Sequence, residues 1–189
     1  MAAEISPPLF EYPTMSTVQL FLDAYQFNRV RTLGLLDKVC QQSEPRQALL
    51  WRPAPGRAHI GWQLLHIGIT EELFATERLN PERPAAFTDL WPRFRGGSTP
   101  DDQLPAADAI RQVLNESRQH LIETLSSYGD DRLAEIPPAM AARNLTVREI
   151  LALIGWHEAH HQGQAHMTFN LYMAASGNAA GSRSPQGGT

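Results

Sequence analysis

The feature that most restricts how this chain can fold is a run of histidines inside one long helical pattern. Four of the seven histidines lie in the ten residues HEAHHQGQAH, 157–166, within a stretch from 145 to 175 that has helical periodicity. On a helix, His157 and His161 share one face and lie about 6 Å apart along the axis. They predict half of a metal site. The alternative, two core histidines satisfied by hydrogen bonds, requires buried partners for both imidazoles.

The same letters match the zinc-protease motif H-E-x-x-H, with Glu158 in the place of a general base. Enzymes of that kind take a third ligand downstream, either a histidine in H-x-x-G-x-x-H register or a carboxylate. Here Gly163 and His166 each come one residue too early, and no Asp or Glu follows Glu158. Because Glu158 also points roughly 60° to 100° away from the ligand stripe, we interpret it either as a catalytic base or as a partner for a neighbouring helix.

Length and composition indicate one domain with a sizeable core. The chain has 189 residues, a formal net charge of −4 and a single cysteine, Cys40, so an intrachain disulfide is excluded. The N-terminus MAAEISPPLF has no basic region followed by an apolar core, and the longest apolar run, ILALIGW, is far too short for a membrane span. We predict a cytoplasmic protein that binds neither nucleic acid nor membrane.

Four segments have helical periodicity, and no stretch alternates as a strand does. The predicted helices run from an N-cap at Thr14 or Ser16 to Cys40, over about 59–79, over about 105–128, and over 145–175 with Asn144 or Thr146 as N-cap. The proline-rich linker 41–57 is predicted to be non-helical, and the aromatic-rich stretch 80–103 has the length of a lid or binding loop. The pattern predicts an all-α fold, a four-helix bundle with long connections.

The predicted domain organisation has three parts. Residues 1–13 form an N-terminal extension, residues 14–175 form the bundle, and residues 176–189 lack apolar periodicity and are predicted to be a disordered tail.

His66 is the predicted third metal ligand. It lies on the inner stripe of the second helix with Trp62, Ile69 and Leu73, so it faces the interior of the bundle. A lone histidine there is usually a core residue, but a matching two-histidine half-site on another helix favours metal binding.

Several polar residues lie beside this predicted site. Gln63, Thr70 and Gln164 adjoin the ligands, and Asn28 and Thr32 interrupt the inner stripe of the first helix. Each is a candidate for contact with a ligand or substrate, and each has the alternative of an ordinary hydrogen-bonded core residue.

The histidine in WQLLHIGITEE, together with HEAHHQGQ in the last helix, resembles the DinB/YfiT-like superfamily of metal-binding four-helix bundles over roughly residues 15–175. The resemblance implies His66, His157 and His161 as ligands, the set that the helical geometry also indicates. It implies one divalent ion (zinc, nickel or iron) and frequent homodimers. Characterised relatives include thiol-dependent S-transferases and isomerases that use low-molecular-weight thiols. The family's common basic residue after the second histidine is Gln162 here.

Three neutral imidazoles leave the ion its full charge and at least one open coordination position. Such an ion could activate a thiol or water against an electrophilic small molecule. Together with the resemblance, this implies a metal-dependent enzyme with a small-molecule substrate, a thiol-dependent S-transferase with a low-molecular-weight thiol as co-substrate. The alternatives are a metal-dependent hydrolase and a stress-related metal-binding module without turnover.

The last helix also predicts self-association. Between Ile150 and Ser182 its only charged residue is Glu158, and Ala152, Gly155 and Ala159 form a small-residue outer face. Because a helix that is apolar all round is expected to be buried all round, we predict a homodimer with the last helix, or the first and last helices, near the interface.

Overall fold

The computed structural model describes residues 15–181, and the regular structure in that range is entirely helical. The α-helices are α1 (Thr17–Cys40), α2 (Pro45–Leu50), α3 (Ile60–Leu73), α4 (Trp91–Phe94), α5 (Ala107–Leu125) and α6 (Val147–Gly181). A π-helical turn, Phe74–Arg78, extends α3, and 3₁₀ turns cover Asp130–Arg132 and Pro138–Arg143. The predicted all-α fold is confirmed. No helix among the described residues is both long and apolar enough to cross a membrane.

Two helix starts follow the predicted capping chemistry. Ser16 Oγ accepts a hydrogen bond from the Gln19 backbone N–H at the start of α1. Before α6, Thr146 and Glu149 form a capping box, because Glu149 accepts from the Thr146 backbone and Thr146 Oγ1 accepts from the Glu149 backbone. Thr14, the other predicted cap of α1, lies outside the described residues.

The helices differ from the predicted segments in three places, one of which is the stretch 80–103, predicted to be irregular, where the structure has the short helix α4. The linker predicted to be non-helical contains α2, because Pro45 stands in the first turn, where proline is compatible with a helix. At the other end, α6 continues past Ala175 to Gly181. The predicted N-terminal extension, 1–13, and residues 182–189 of the predicted tail lie outside the described residues.

The four long helices pack side by side, with α3 against α5 and α6, and α1 against α6 and α5. Two apolar clusters fill the two ends of this bundle. The first halves of α1 and α6 contribute to one cluster and their second halves to the other. In α5 the order is reversed, and α3 contributes to the same cluster as the first half of α5, while the π-helical turn after α3 contributes to the other. Helices α3 and α5 are therefore parallel, and the long segment between them must return along the bundle.

A buried polar layer separates the two apolar clusters. It consists of Arg29 and Thr32 on α1, Glu71 on α3, Arg118 on α5 and Glu158 on α6, all of them buried. On α1, α5 and α6 these residues lie in sequence between the residues of one cluster and those of the other, and Glu71 lies near the end of α3, shortly before the second cluster begins at Phe74. Each long helix thus contributes to one central layer of charge. The histidines predicted to bind metal lie on α3 and α6 close to it in sequence.

Candidate metal centre

The structure brings His66 of α3 together with His157 and His161 of α6. One ring nitrogen from each histidine can be chosen so that all three lie within 4.8 Å of one another. The Nε2 atoms of His66 and His157 are 3.1 Å apart. Metal–nitrogen bonds of about 2.0–2.1 Å at tetrahedral angles place two ligand nitrogens roughly 3.3 Å apart. The spacing of the imidazoles therefore fits a single small ion.

The outer nitrogens of two of these rings are held by hydrogen bonds. His66 Nδ1–H donates to the Phe94 carbonyl oxygen at 2.6 Å, and His161 Nδ1–H donates to Gln63 Oε1. These bonds select the tautomer in which Nε2 carries a lone pair. The lone pair of His66 consequently points at the Nε2 atom of His157, an arrangement that a shared cation would stabilise. The donor set suits zinc, nickel and iron alike.

The environment keeps the three imidazoles neutral. Burial lowers the pKa of His66 despite its hydrogen bond to the Phe94 carbonyl. Burial, reinforced by repulsion from the neighbouring histidines, lowers the pKa of His157 and of His161 to about 3. Neutral imidazole is the form that coordinates a metal, so no proton has to be displaced near pH 7.

The segment between α3 and α5 packs directly on His66. Trp62 stacks on the His66 ring with 4.6 Å between centroids, and Trp62 Nε1–H donates to the Arg93 carbonyl oxygen. The neighbouring Phe94 is buried and provides the carbonyl that orients His66. The stretch predicted to be a lid therefore contacts the site, and its α4 turn fixes one ligand.

Gln63, Thr70 and Gln164 lie close to the three histidines. Gln63 accepts from His161 and donates through Nε2 to Gln164 Oε1 at 2.9 Å. Gln164 Nε2 in turn lies 2.8 Å from His160 Nε2. Thr70 lines a cavity with His66 and His157.

The two predicted polar residues of α1 point elsewhere. Asn28 Nδ2–H donates to the Gly155 carbonyl oxygen, and Thr32 Oγ1–H donates to Glu158 Oε1 at 2.8 Å. Neither residue lines a cavity beside the histidines. Their contacts match the alternative interpretation, hydrogen-bonded polar groups of the core.

Glu158 is held in the buried polar layer. Its carboxylate accepts from Arg29 Nε at 2.9 Å, from Arg118 and from Thr32. The same two arginines bind Glu71. The side chains of both arginines and both glutamates are at most 5% exposed. These contacts match the interpretation of Glu158 as a partner for neighbouring helices rather than as a catalytic base.

Two cavities adjoin the histidines on opposite sides. One, of about 370 Å³, is lined by His66, Thr70 and His157. The other, of about 460 Å³, is lined by Trp62, His161 and Gln164 among others. Small molecules can therefore approach the three imidazoles from two directions.

Sequence reasoning missed several residues at this centre. A backbone carbonyl such as that of Phe94 has no sequence signature. The two buried arginines could have been found from the sequence, because each interrupts an apolar helical stripe. Arg29 follows the buried Tyr25 by four positions, and Arg118 follows the buried Leu114 by four.

Comparisons with known proteins place the chain in a family. The sequence model of the DinB superfamily matches residues 24–165. The crystal structure of a conserved protein from Enterococcus faecalis is similar in fold, with a TM-score of 0.68 and 18% sequence identity over 85% of this chain and 99% of the other. A comparison with curated protein sequences found no match. Because the family match spans most of the described bundle and contains all three histidines, the chain belongs to the DinB superfamily.

Proposed function

We propose that this protein holds one divalent ion, zinc, nickel or iron, through His66, His157 and His161, and that it transfers a low-molecular-weight thiol to a small electrophile. The observation that carries the proposal is the pair of oriented imidazoles. His66 and His161 turn their protons outward to Phe94 and Gln63, which leaves lone pairs for one shared centre. A partly buried cluster of this kind, with no ion, would leave unfavourable lone-pair contacts.

A divalent ion bound there supplies Lewis acidity that lowers the pKa of a coordinated thiol or water. The chain's own contribution is orientation. Trp62 and the Phe94 carbonyl fix the His66 ring. Gln63, which is itself held by a hydrogen bond to Gln164, fixes His161. A rigid set of three neutral ligands keeps the remaining coordination position open for a substrate atom.

The two cavities support a reaction between two small molecules. A thiol and an electrophile need separate approaches to one centre, and the cavities on the His157 and His161 sides provide them. Such access argues against a sequestering module, whose ion would be enclosed. The engagement of Glu158 with Arg29 and Arg118 argues against a hydrolase that uses Glu158 as general base.

Cobalt substitution tests the proposal. Protein purified without chelator or nickel resin should contain close to one divalent ion per chain, and the ion can be exchanged for Co²⁺. Addition of glutathione, bacillithiol, mycothiol or coenzyme A should then produce an intense near-ultraviolet band, because a thiolate sulfur that coordinates cobalt gives ligand-to-metal charge transfer.

S-methylglutathione is the matched control, because it keeps the shape of glutathione and lacks the ionisable thiol. The band should appear with a free thiol and stay absent with this analogue. If none of the four thiols changes the spectrum, the transferase proposal is wrong, and metal-dependent hydrolysis or metal binding without turnover replaces it.

We also propose that the protein is a homodimer through the outer faces of α1 and α6. Phe27 and Val30 on α1, and Trp156 and Met167 on α6, are each between 58% and 61% exposed. A groove of about 460 Å³ lies between the two helices beside Val30.

Light scattering at micromolar concentration should give twice the chain mass of 21.1 kDa. Trp156→Arg should shift the protein toward monomer, since a desolvated charge opposes an apolar interface; a monomeric parent would contradict the proposal.

A further inference from the structure

Three arginines from separate segments line the cavity on the His66 and His157 side. Arg78 ends the π-helical turn after α3, Arg95 follows α4, and Arg143 ends the 3₁₀ turn before α6. They share this wall with the two histidines, and no carboxylate lines the cavity among the described residues. The cavity is therefore strongly positive in a chain whose net charge is −4.

The charge of these guanidinium groups is not neutralised by ion pairs. Seven other arginines pair with carboxylates, namely Arg29, Arg52, Arg83, Arg93, Arg111, Arg118 and Arg132. Within residues 15–181, Arg78, Arg95 and Arg143 form neither an ion pair nor a side-chain hydrogen bond. Five donors on each guanidinium thus remain available to a ligand.

Arg78 is the innermost of the three. It is partly buried, and its guanidinium lies over the Phe74 ring, 4.3 Å from the centroid. Burial lowers its pKa; the neighbouring Glu77 opposes this effect, and Arg143 and Arg95 add to it. The three positive charges therefore act on one another within the cavity. Bringing them together is unfavourable unless an anion offsets the repulsion.

We propose that this cavity binds an oxyanion, a carboxylate or phosphate group, carried by the small molecule that reaches the histidine centre. That this molecule is a reactant rests on the proposed function. The further inference is that the molecule carries a negative charge. Planar guanidinium groups bind carboxylate and phosphate oxygens through paired hydrogen bonds. Because His66 and His157 line the same cavity, the rest of a molecule whose anionic group is bound by the arginines would lie next to these two histidines. The His161 cavity, with Arg57 as its single charged residue, is left for the less charged reactant.

Isothermal titration calorimetry of the full-length protein with succinate, inorganic phosphate and succinamide tests the assignment. It should be done on both metal-free and zinc-loaded protein, with metal content measured for each. Succinate or phosphate should bind in both forms, and the tighter of the two identifies the oxyanion. Succinamide, which has the size of succinate without its charge, should not bind.

Arg78→Gln and Arg143→Gln should each weaken anion binding by roughly tenfold, the effect of losing one charged hydrogen-bonding partner. Arg57→Gln, which removes a charge beside the opposite cavity, should bind as the parent does. Arg143 is exposed, so its variant remains informative if Arg78→Gln folds poorly.

Absence of saturable binding at tens of millimolar anion would overturn the assignment, as would equal binding of succinamide. Anion binding that requires zinc and is unaffected by the arginine variants would make the anion a metal ligand, and would overturn it too. A parent protein that binds no metal would refute the proposed function alone, because the metal-free titration still decides whether the arginines hold an anion.

Discussion

His66→Ala, His157→Ala and His161→Ala are each expected to abolish stoichiometric metal binding. Loss of a residue that only orients a ligand costs about 10- to 100-fold in metal affinity, so loss of a ligand should cost more than about 100-fold. Gln63→Ala, which removes the acceptor for His161 Nδ1–H, should fall in the lower range. Metal content after gel filtration and competition with a chelator would measure both effects.

His166→Ala is the matched control for this series, because His166 lies on the same helix, is exposed, and is not part of the three-histidine cluster. It should retain the parent affinity. Circular dichroism would establish that each variant is folded. Metal retained at parent affinity by a folded His66→Ala protein would refute the assignment of that ligand.

Glu158→Gln is expected to lower the free energy of unfolding by about 3–5 kcal/mol. In the parent protein the two buried arginines, Arg29 and Arg118, pair with two carboxylates, and the substitution leaves them only that of Glu71. One buried positive charge then has no partner, and breaking a buried ion pair in this way costs about 3–5 kcal/mol. Since small domains are stable by only about 5–15 kcal/mol, the midpoint of urea denaturation should move markedly.

The control is Glu135→Gln, which removes the partner of Arg132 in an exposed ion pair. It should leave the free energy of unfolding close to that of the parent protein, because an exposed ion pair contributes little. Folded Glu158→Gln protein should still bind metal, because the carboxylate contacts arginines and Thr32 rather than the imidazoles. A similar small loss for both variants would show that the buried layer contributes little.

Helical periodicity was sufficient to predict the convergence of His66, His157 and His161. Each histidine occupies an inner stripe, and two stripes that face the same core must meet when their helices pack together. Capping at Ser16 and at Thr146 was predictable for a similar reason, because both depend on residues within four positions of one another.

Contacts that depend on how distant segments pack were beyond such reasoning. The Phe94 carbonyl reaches His66 because the segment after α3 folds back over the site, and any residue type offers the same carbonyl. The positive cavity was missed because Arg78, Arg95 and Arg143 are far apart in sequence and none lies on a helical stripe shared with another. Asn28 and Thr32 were predicted to lie near the site because they interrupt the apolar stripe of α1. Such an interruption indicates that a polar residue has a buried partner, but it does not identify that partner.

The π-helical turn Phe74–Arg78 contains an extra residue relative to the α-helix that it extends, as the Leu79 N–H bond to the Phe74 carbonyl indicates. Deletion of one residue within this turn would leave an ordinary α-helical turn in its place, because the wider π turn makes about the same rotation with one residue more. The residues on either side of the turn would keep their orientation, and His66, about three turns before Arg78, would keep its place. Related chains can therefore differ by one residue at this turn and still retain the three histidines.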